Sequence, residues 1–368
     1  MKIINYANLP KQWKQEKKRL LPLIEKVFAK GQYIGAQNDE IEMFETNIKK
    51  VCGTKFAVAL NSGTDALVLA LMLLGVKRGD EVITPPNSFI SSTSAIVHIG
   101  AKPVFVDVRE DQNINPKLIE KVITKKTKAI MPVHLTGRVS EMNEIISIAK
   151  KYGIPIVEDA AQSIGSKYYN KKSGSLGDIG CFSAHPLKNL NACGDSGFLT
   201  TNNRAFYEKA ISLRNHGLTN RNVVKKFGFL SRMDTLQASI LNFRLKNLYK
   251  TINIRRLNAK FYSENLDRKK FFFVDEKKHE FNTYHTFVIQ TKNRDKLIKY
   301  LNFNKIQTAI HYPIPIHLQP AARFLGYKKN SFPVTEKQSK EILTLPINQY
   351  LLKKELSRII NKLNNFKI

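Results

Sequence analysis

Between residues 56 and 159 short apolar runs alternate with stretches of helical period, and this alternation limits the fold more than any other feature of the chain. Strand-like runs at 56–60, 81–84, 104–107, 129–133 and 155–159 are separated by helical runs at 65–74, 91–99 and 140–152. Strands joined by helical crossovers pair in parallel, with the helices packed over both faces of the sheet. The expectation is an α/β fold with a mostly parallel, seven-stranded-type sheet between helices. No internal repeat is visible, and 368 residues are enough for one large core and a smaller second one.

The remaining segments extend this plan. The N-terminal part up to about residue 44 reads as helical, with a substrate-side loop at 31–35. A proline-free stretch at 236–266 has helical period throughout and reads as one long helix running from the large domain into a smaller one. Beyond it come strand-like 284–290, helical 295–301, strand-like 307–312, and helices near 335–343 and 351–363, the pattern of a compact α+β domain. The predicted division is 1–247 for the large domain and 248–368 for the small one.

Charge and cysteine usage exclude several classes. The formal net charge is +30, from 60 Lys and Arg against 30 Asp and Glu. These cations are scattered in pairs such as Lys17-Lys18 and Lys125-Lys126, without a dense block or an interleaved aromatic stripe, so nucleic acid is not the expected partner. A basic face does suit a phosphorylated substrate. No run approaches the roughly 18 apolar residues of a membrane span, and the N-terminus has no signal-peptide core; the expectation is a cytoplasmic protein without a membrane partner. The three cysteines, Cys52, Cys181 and Cys193, lack metal-ligand spacing, which argues for reduced thiols and no metal.

Candidate chemistry centres on Lys188. The strand-like residues Ile179, Cys181 and Phe182 break at Ser183-Ala184-His185-Pro186, and the chain turns back after Gly194 and Gly197 into a second strand at 198–201. Lys188 thus sits on an excursion between two strand ends, suited to presenting an amine, although a solvated loop lysine is the alternative. Ser62-Gly63-Thr64 lies between a strand and a helix, where free amides and the helix dipole favour a phosphate; plain helix capping is the alternative. Asp159 ends an apolar strand, the place where open α/β sheets meet their ligands, and Gln162 follows within reach. Phe89 adds a flat apolar face. Pyridoxal phosphate (PLP) requires this set: a phosphate cradle, a ring platform, a carboxylate that keeps the ring nitrogen protonated, and a lysine for the aldehyde.

The motifs carry a resemblance that covers almost the whole chain. NSGTDAL (61–67), TPPNSF (84–89), PVHLTG (132–137), EDAAQS (158–163), GDIGCFSAHPLKNL (177–190), LRNHG (213–217), SRMDTLQA (231–238) and HYPIPIHLQ (311–319) occur in this order. Together they resemble the DegT/StrS sugar aminotransferases, of fold-type I aspartate-aminotransferase architecture. The resemblance implies that Lys188 bonds covalently to PLP and that Gly63 and Thr64, beside Ser62, hold its phosphate with help from Ser183. It further implies that Asp159 pairs with the ring nitrogen, Gln162 touches the ring hydroxyl and Phe89 stacks on the ring. Candidate substrate contacts are Tyr33, His185, His311, Tyr312 and His317, whereas His98, His134 and His216 read as structural.

An amino donor such as glutamate, a keto sugar linked to a nucleotide, pyridoxamine phosphate (PMP) as the intermediate cofactor form, and a homodimer with shared active sites follow from the same resemblance. Two departures stand out. The family often places a partner-subunit asparagine just before SRM, and this chain has Leu230 there, with Ser231 or Arg232 as substitutes for the phosphate contact. The usual GDGG or GEGG turn is Gly194-Asp195-Ser196-Gly197. A related dehydratase, a transaminase of free keto sugar acids and a regulatory nucleic-acid binder are the competing readings; Lys188 speaks against the first, since that branch carries histidine in its place.

Overall fold

The computed structural model describes residues 2–34 and 39–367 of the chain. Gly35, the end of the predicted substrate-side loop, lies outside the described residues. The expected sheet forms from β1 (Phe56–Leu60), β2 (Glu81–Thr84), β3 (Lys102–Phe105), β4 (Thr127–Ile130), β5 (Val157–Asp159), β6 (Ile179–Ser183) and β7 (Gly197–Thr201). One group has the order β3-β2-β4, all parallel, and the other β1-β7-β6-β5. Parallel bridges Ile130–Ile156 and Val133–Asp159 join β4 to β5, so the strands run on as one sheet, β3-β2-β4-β5-β6-β7-β1. β7 runs antiparallel to both of its neighbours. Its direct return from β6 is what puts the Lys188 excursion between two adjacent strands.

The helices of this part are α1 (Leu9–Lys30), α2 (Asp39–Cys52), α3 (Gly63–Leu73), α4 (Ile90–His98), α5 (Met142–Tyr152) and α6 (Arg204–Leu213). α3 is apolar nearly all round because it is buried from Ala66 to Leu73, wedged between the sheet, α4 and α6. It begins at Gly63, two residues before the predicted start, so Gly63 and Thr64 belong to its first turn. α5 buries Met142, Ile145 and Ala149 and stops at Gly153, whose positive φ of 64° closes the helix at low steric cost. Strand 104–107 ends earlier than predicted. Asp107 turns away and accepts from the amides of Val334 and Thr335 at 3.0 Å each, capping a helix far along the chain.

The single helix expected over 236–266 is instead two, α7 (Thr235–Leu245) and α8 (Leu248–Asn265). The Asn247 N–H bonds to the Arg244 carbonyl at 3.0 Å, a tightened last turn, and the Asn247 carbonyl opens the next helix by accepting from Thr251 at 3.0 Å. The break has a packing consequence. Leu248 and Ile252 at the start of α8 enter the same apolar cluster as Phe182 and Phe198, whereas Ala259 and Tyr262 enter a C-terminal cluster with Phe287, Leu343 and Leu345. Ile4, from the N-terminal tail, joins this second cluster.

C-terminal to α8 lie β8 (Phe287–Gln290), α9 (Arg294–Phe303), α10 (Pro333–Glu341), β9 (Ile342–Leu345) and α11 (Lys353–Asn364). The helix expected to reach 343 ends at Glu341, because Ile342, Leu343, Thr344 and Leu345 are all buried and pair antiparallel with β8. The strand expected at 307–312 is reduced to one bridge, Ala309 with Thr344, after which the chain leaves the sheet through Pro313 and Pro315. That departure carries His311 and Tyr312 to the wall of the cavity described next.

Candidate active site

A cavity of about 300 Å³ opens where β5 and β6 end and α3 begins. Its floor is set by two close approaches. A Cβ on Gly63 would lie 2.7 Å from Ser183 Cβ, and a Cβ on Gly197 would lie 2.3 Å from the Ser62 carbonyl carbon, so both positions require glycine. Ser62 caps α3 by accepting from the Asp65 N–H at 3.1 Å, as the capping alternative expects. The amides of Gly63 and Thr64 have no intrahelical acceptor in this first turn, and both residues line the cavity. Capping by Ser62 thus leaves these two amides open. Thr64 Oγ1 is held at 2.9 Å from Ser91 Oγ.

Glu158 and Asp159 point to opposite sides of β5. The Glu158 carboxylate accepts from Gly174, Leu176 and Gly177 amides at 2.8, 2.7 and 2.7 Å and meets His134 Nε2 at 2.9 Å, fixing the glycine-rich loop before β6. Asp159 faces the cavity instead. Ser92 Oγ donates to its Oδ2 at 2.6 Å and the Ala161 N–H to its Oδ1 at 3.2 Å. Burial raises the Asp159 carboxyl above the usual carboxylate range, opposed by those two hydrogen bonds and by the cation of Lys188.

Lys188 lies in the same cavity, on the excursion after β6. Burial lowers its amine from 10.5 to about 8, with Asp159 acting in the other direction. Gln162 is fixed by accepting from the Thr136 N–H at 2.9 Å, and its Nε2 lies 3.4 Å from the Tyr312 hydroxyl. The Phe89 ring is tilted against Tyr312 at 5.8 Å between centroids. Ser183, His185 and His311 complete this wall, and burial holds His311 neutral by lowering it to about 4.

Three residues singled out from the sequence stand elsewhere in this chain. Tyr33 is exposed, with its carbonyl accepting from Thr235 at 3.0 Å and its ring against Phe28. Arg232 donates to Asn215 Oδ1 at 3.3 Å. His317 is buried against Glu336 at 3.1 Å and the edge of Phe332. Conversely, Tyr6, Ser92, Ser196, Arg255, His285 and Asn348 line the cavity without having been predicted. Ser92, one turn beyond Phe89 on α4, and Ser196, in the turn that closes the Lys188 excursion, had a local signal; Tyr6, Arg255, His285 and Asn348 arrive through long-range packing.

The residues present fit PLP. Ser196 Oγ is buried in the cavity wall with no hydrogen-bond partner, a hydroxyl left for an anion beside the open amides of α3. A buried carboxylate and a depressed lysine amine lie in the same cavity. The model of the DegT/DnrJ/EryC1/StrS aminotransferase family matches residues 14–364. The chain belongs to that family. It is a PLP-dependent aminotransferase.

Among its relatives, the dTDP-3-amino-3,6-dideoxy-alpha-D-galactopyranose transaminase of Aneurinibacillus thermoaerophilus is 38% identical, covering 95% of each chain. The structure of S. venezuelae DesV superposes with a TM-score of 0.96 at 33% identity, over 99% of this chain and 98% of that one. NtdA from Bacillus subtilis, solved with bound cofactor PMP, superposes with a TM-score of 0.88 at 31% identity, over 95% and 81%. These likenesses agree with the parallel sheet and its one reversed strand. Among the described residues no helix is long and apolar enough to cross a membrane.

Proposed function

We propose that this sugar aminotransferase carries an amino group from glutamate to a keto sugar linked to a nucleotide, acting as a cytoplasmic homodimer in the making of amino sugars for surface polysaccharide. The observation that carries the reading is Lys188, an amine brought to about 8 by burial and sharing its cavity with the buried carboxylate of Asp159. The name of the Aneurinibacillus relative, a dTDP-sugar transaminase, supports the substrate class.

PLP, when bound, supplies an aldehyde carbon that links to an amine and a ring that takes up the electron pair left when a neighbouring carbon loses its proton. The chain's residues do the rest. Ser62, Gly63, Thr64 and Ser183 hold the phosphate, with Ser196 adding a hydroxyl. Asp159, kept in place by Ser92, would stabilise a protonated ring nitrogen, with Gln162 toward the ring hydroxyl and Phe89 against the ring. In its neutral form Lys188 Nζ would take the proton from the donor's α-carbon as the general base. Its depressed pKa suits this task, because an amine at 10.5 would remain protonated and inert near neutral pH. In the second half-reaction the same residues work in reverse on the keto sugar. Tyr312, His311 and His185 shape the sugar side of the cavity.

The test is a panel of nucleotide keto sugars, generated by coupled dehydratases and assayed with glutamate by mass spectrometry. Amination of at least one nucleotide-linked sugar is expected. Amination of free keto sugar acids alone would contradict the substrate class.

A further inference from the structure

Away from the cofactor cavity, a smaller one of about 50 Å³ lies where the loop after β3 meets the segment before β8. Three buried side chains line it, and each keeps an oxygen without a hydrogen-bond partner: Gln112 Oε1, Asn282 Oδ1 and Thr286 Oγ1, in residues 5%, 2% and 2% exposed. Asn282 Nδ2 donates to Glu280 Oε2 at 3.1 Å, so the unpartnered end of that amide is its oxygen. A buried oxygen left unpaired is costly, and three around one cavity call for a ligand that meets them together.

The charges around the wall say which ligand. The lining guanidinium, Arg138, is spent: its Nη1 donates to Glu280 and its Nη2 to the main-chain oxygens of Val274 and Asp275. Of the lining carboxylates, Asp111 pairs with Arg109, while Glu110 forms no ion pair among the described residues. A water molecule has two protons and cannot donate to all three oxygens, whereas a cation meets them at once. Neutral amide and hydroxyl oxygens with one uncompensated carboxylate nearby suit a monovalent alkali ion; Ca²⁺ and Mg²⁺ draw on more carboxylate charge. The volume exceeds the roughly 10–15 Å³ that one water needs, so an ion fits with a water beside it.

Thr136 also lines this cavity and connects it to the cofactor site. Its carbonyl accepts from the Thr286 N–H at 3.3 Å, and its own N–H donates to Gln162 Oε1 at 2.9 Å. Thr136 has a φ of 64°, a left-handed conformation that β-branched residues rarely adopt, and the surrounding structure has to hold it there. We propose that the cavity binds a monovalent alkali cation, K⁺ or Na⁺, through Gln112, Asn282 and Thr286, and that the bound ion fixes Thr136 and through it Gln162. The site lies outside the transamination chemistry and depends on none of its steps.

Crystals of the PLP-loaded protein soaked in thallium acetate test the site, since Tl⁺ replaces K⁺ and scatters anomalously. A Tl⁺ peak among Gln112, Asn282 and Thr286 is expected. Apo-protein is then titrated with PLP in KCl, in NaCl and in tetramethylammonium chloride at equal ionic strength, the last cation being too large to enter. PLP should bind roughly 2- to 13-fold more weakly in tetramethylammonium, the range for one neutral hydrogen bond, and the melting temperature of the apo-protein should fall with it. The salt that restores both at the lower concentration, KCl or NaCl, identifies the ion. Thr286→Val and Gln112→Leu each remove one ligand and should make PLP affinity insensitive to the salt; either serves if the other does not fold. Density for water alone in the cavity overturns the proposal. So does a PLP affinity equal in all three salts, or a salt response that survives the substitutions, which places the ion elsewhere.

Discussion

Asp159 and Lys188 show how burial sets chemistry at single residues. Asp159 resists ionisation because it is desolvated, and a cation placed beside it would restore the balance. Asp159→Asn should fold, since a neutral amide is easier to bury, yet lose a charge-assisted hydrogen bond worth roughly 1.5–3 kcal/mol and with it about two orders of magnitude in turnover. Steady-state rates and a melting curve check both halves of that expectation. Burial lowers the folded-state pKa of Lys188, so its reactive neutral form appears as pH rises through about 8, not 10.5. The rate at which apo-protein captures PLP covalently should therefore climb with pH to a plateau with a midpoint near 8. A midpoint near 10 would mean that the amine is solvated.

The junction of β7 with α3 is the element on which the phosphate cradle depends. Gly197→Ala would drive a methyl group to 2.3 Å from the Ser62 backbone, and backbone cannot step aside as a flexible side chain can. The expected outcome is a destabilisation of about 1–3 kcal/mol together with weaker PLP binding, measured by thermal melting and by cofactor titration. The sequence made the Ser62–Thr64 turn legible because β1, turn and capping serine are contiguous, whereas Gly197 comes to it from far along the chain. It made Asp159 and Lys188 legible for the same reason, as both stand at strand ends. Arg255, His285 and Tyr6 were not legible. They reach the cavity from α8, from the segment before β8 and from the N-terminal tail, and no local pattern encodes that meeting. The broken helix at Lys246-Asn247 was missed because periodicity runs through a tightened turn unchanged. β9 was missed because its apolar residues continue the helical pattern of α10.

At the scale of the whole molecule, the account expects an obligate C2 homodimer, a symmetry that repeats each contact twice. Arg232 stands outside its own chain's cavity and Leu230 is exposed, which leaves both able to face a second subunit. Mixing Lys188→Ala with Arg232→Ala protomers should restore one competent site per heterodimer, about a quarter to a half of wild-type activity on the logic of an isologous interface. An active monomer by light scattering, or no complementation, would assign Arg232 to its own subunit. The central claim is that one lysine among the 60 Lys and Arg of this chain does the chemistry. Its most direct test is borohydride reduction of the PLP-loaded protein followed by peptide mapping. The account predicts a single phosphopyridoxyl label on Lys188, absent when the protein is saturated with glutamate before reduction. A label on any other lysine, or none in a protein that holds PLP, would contradict it.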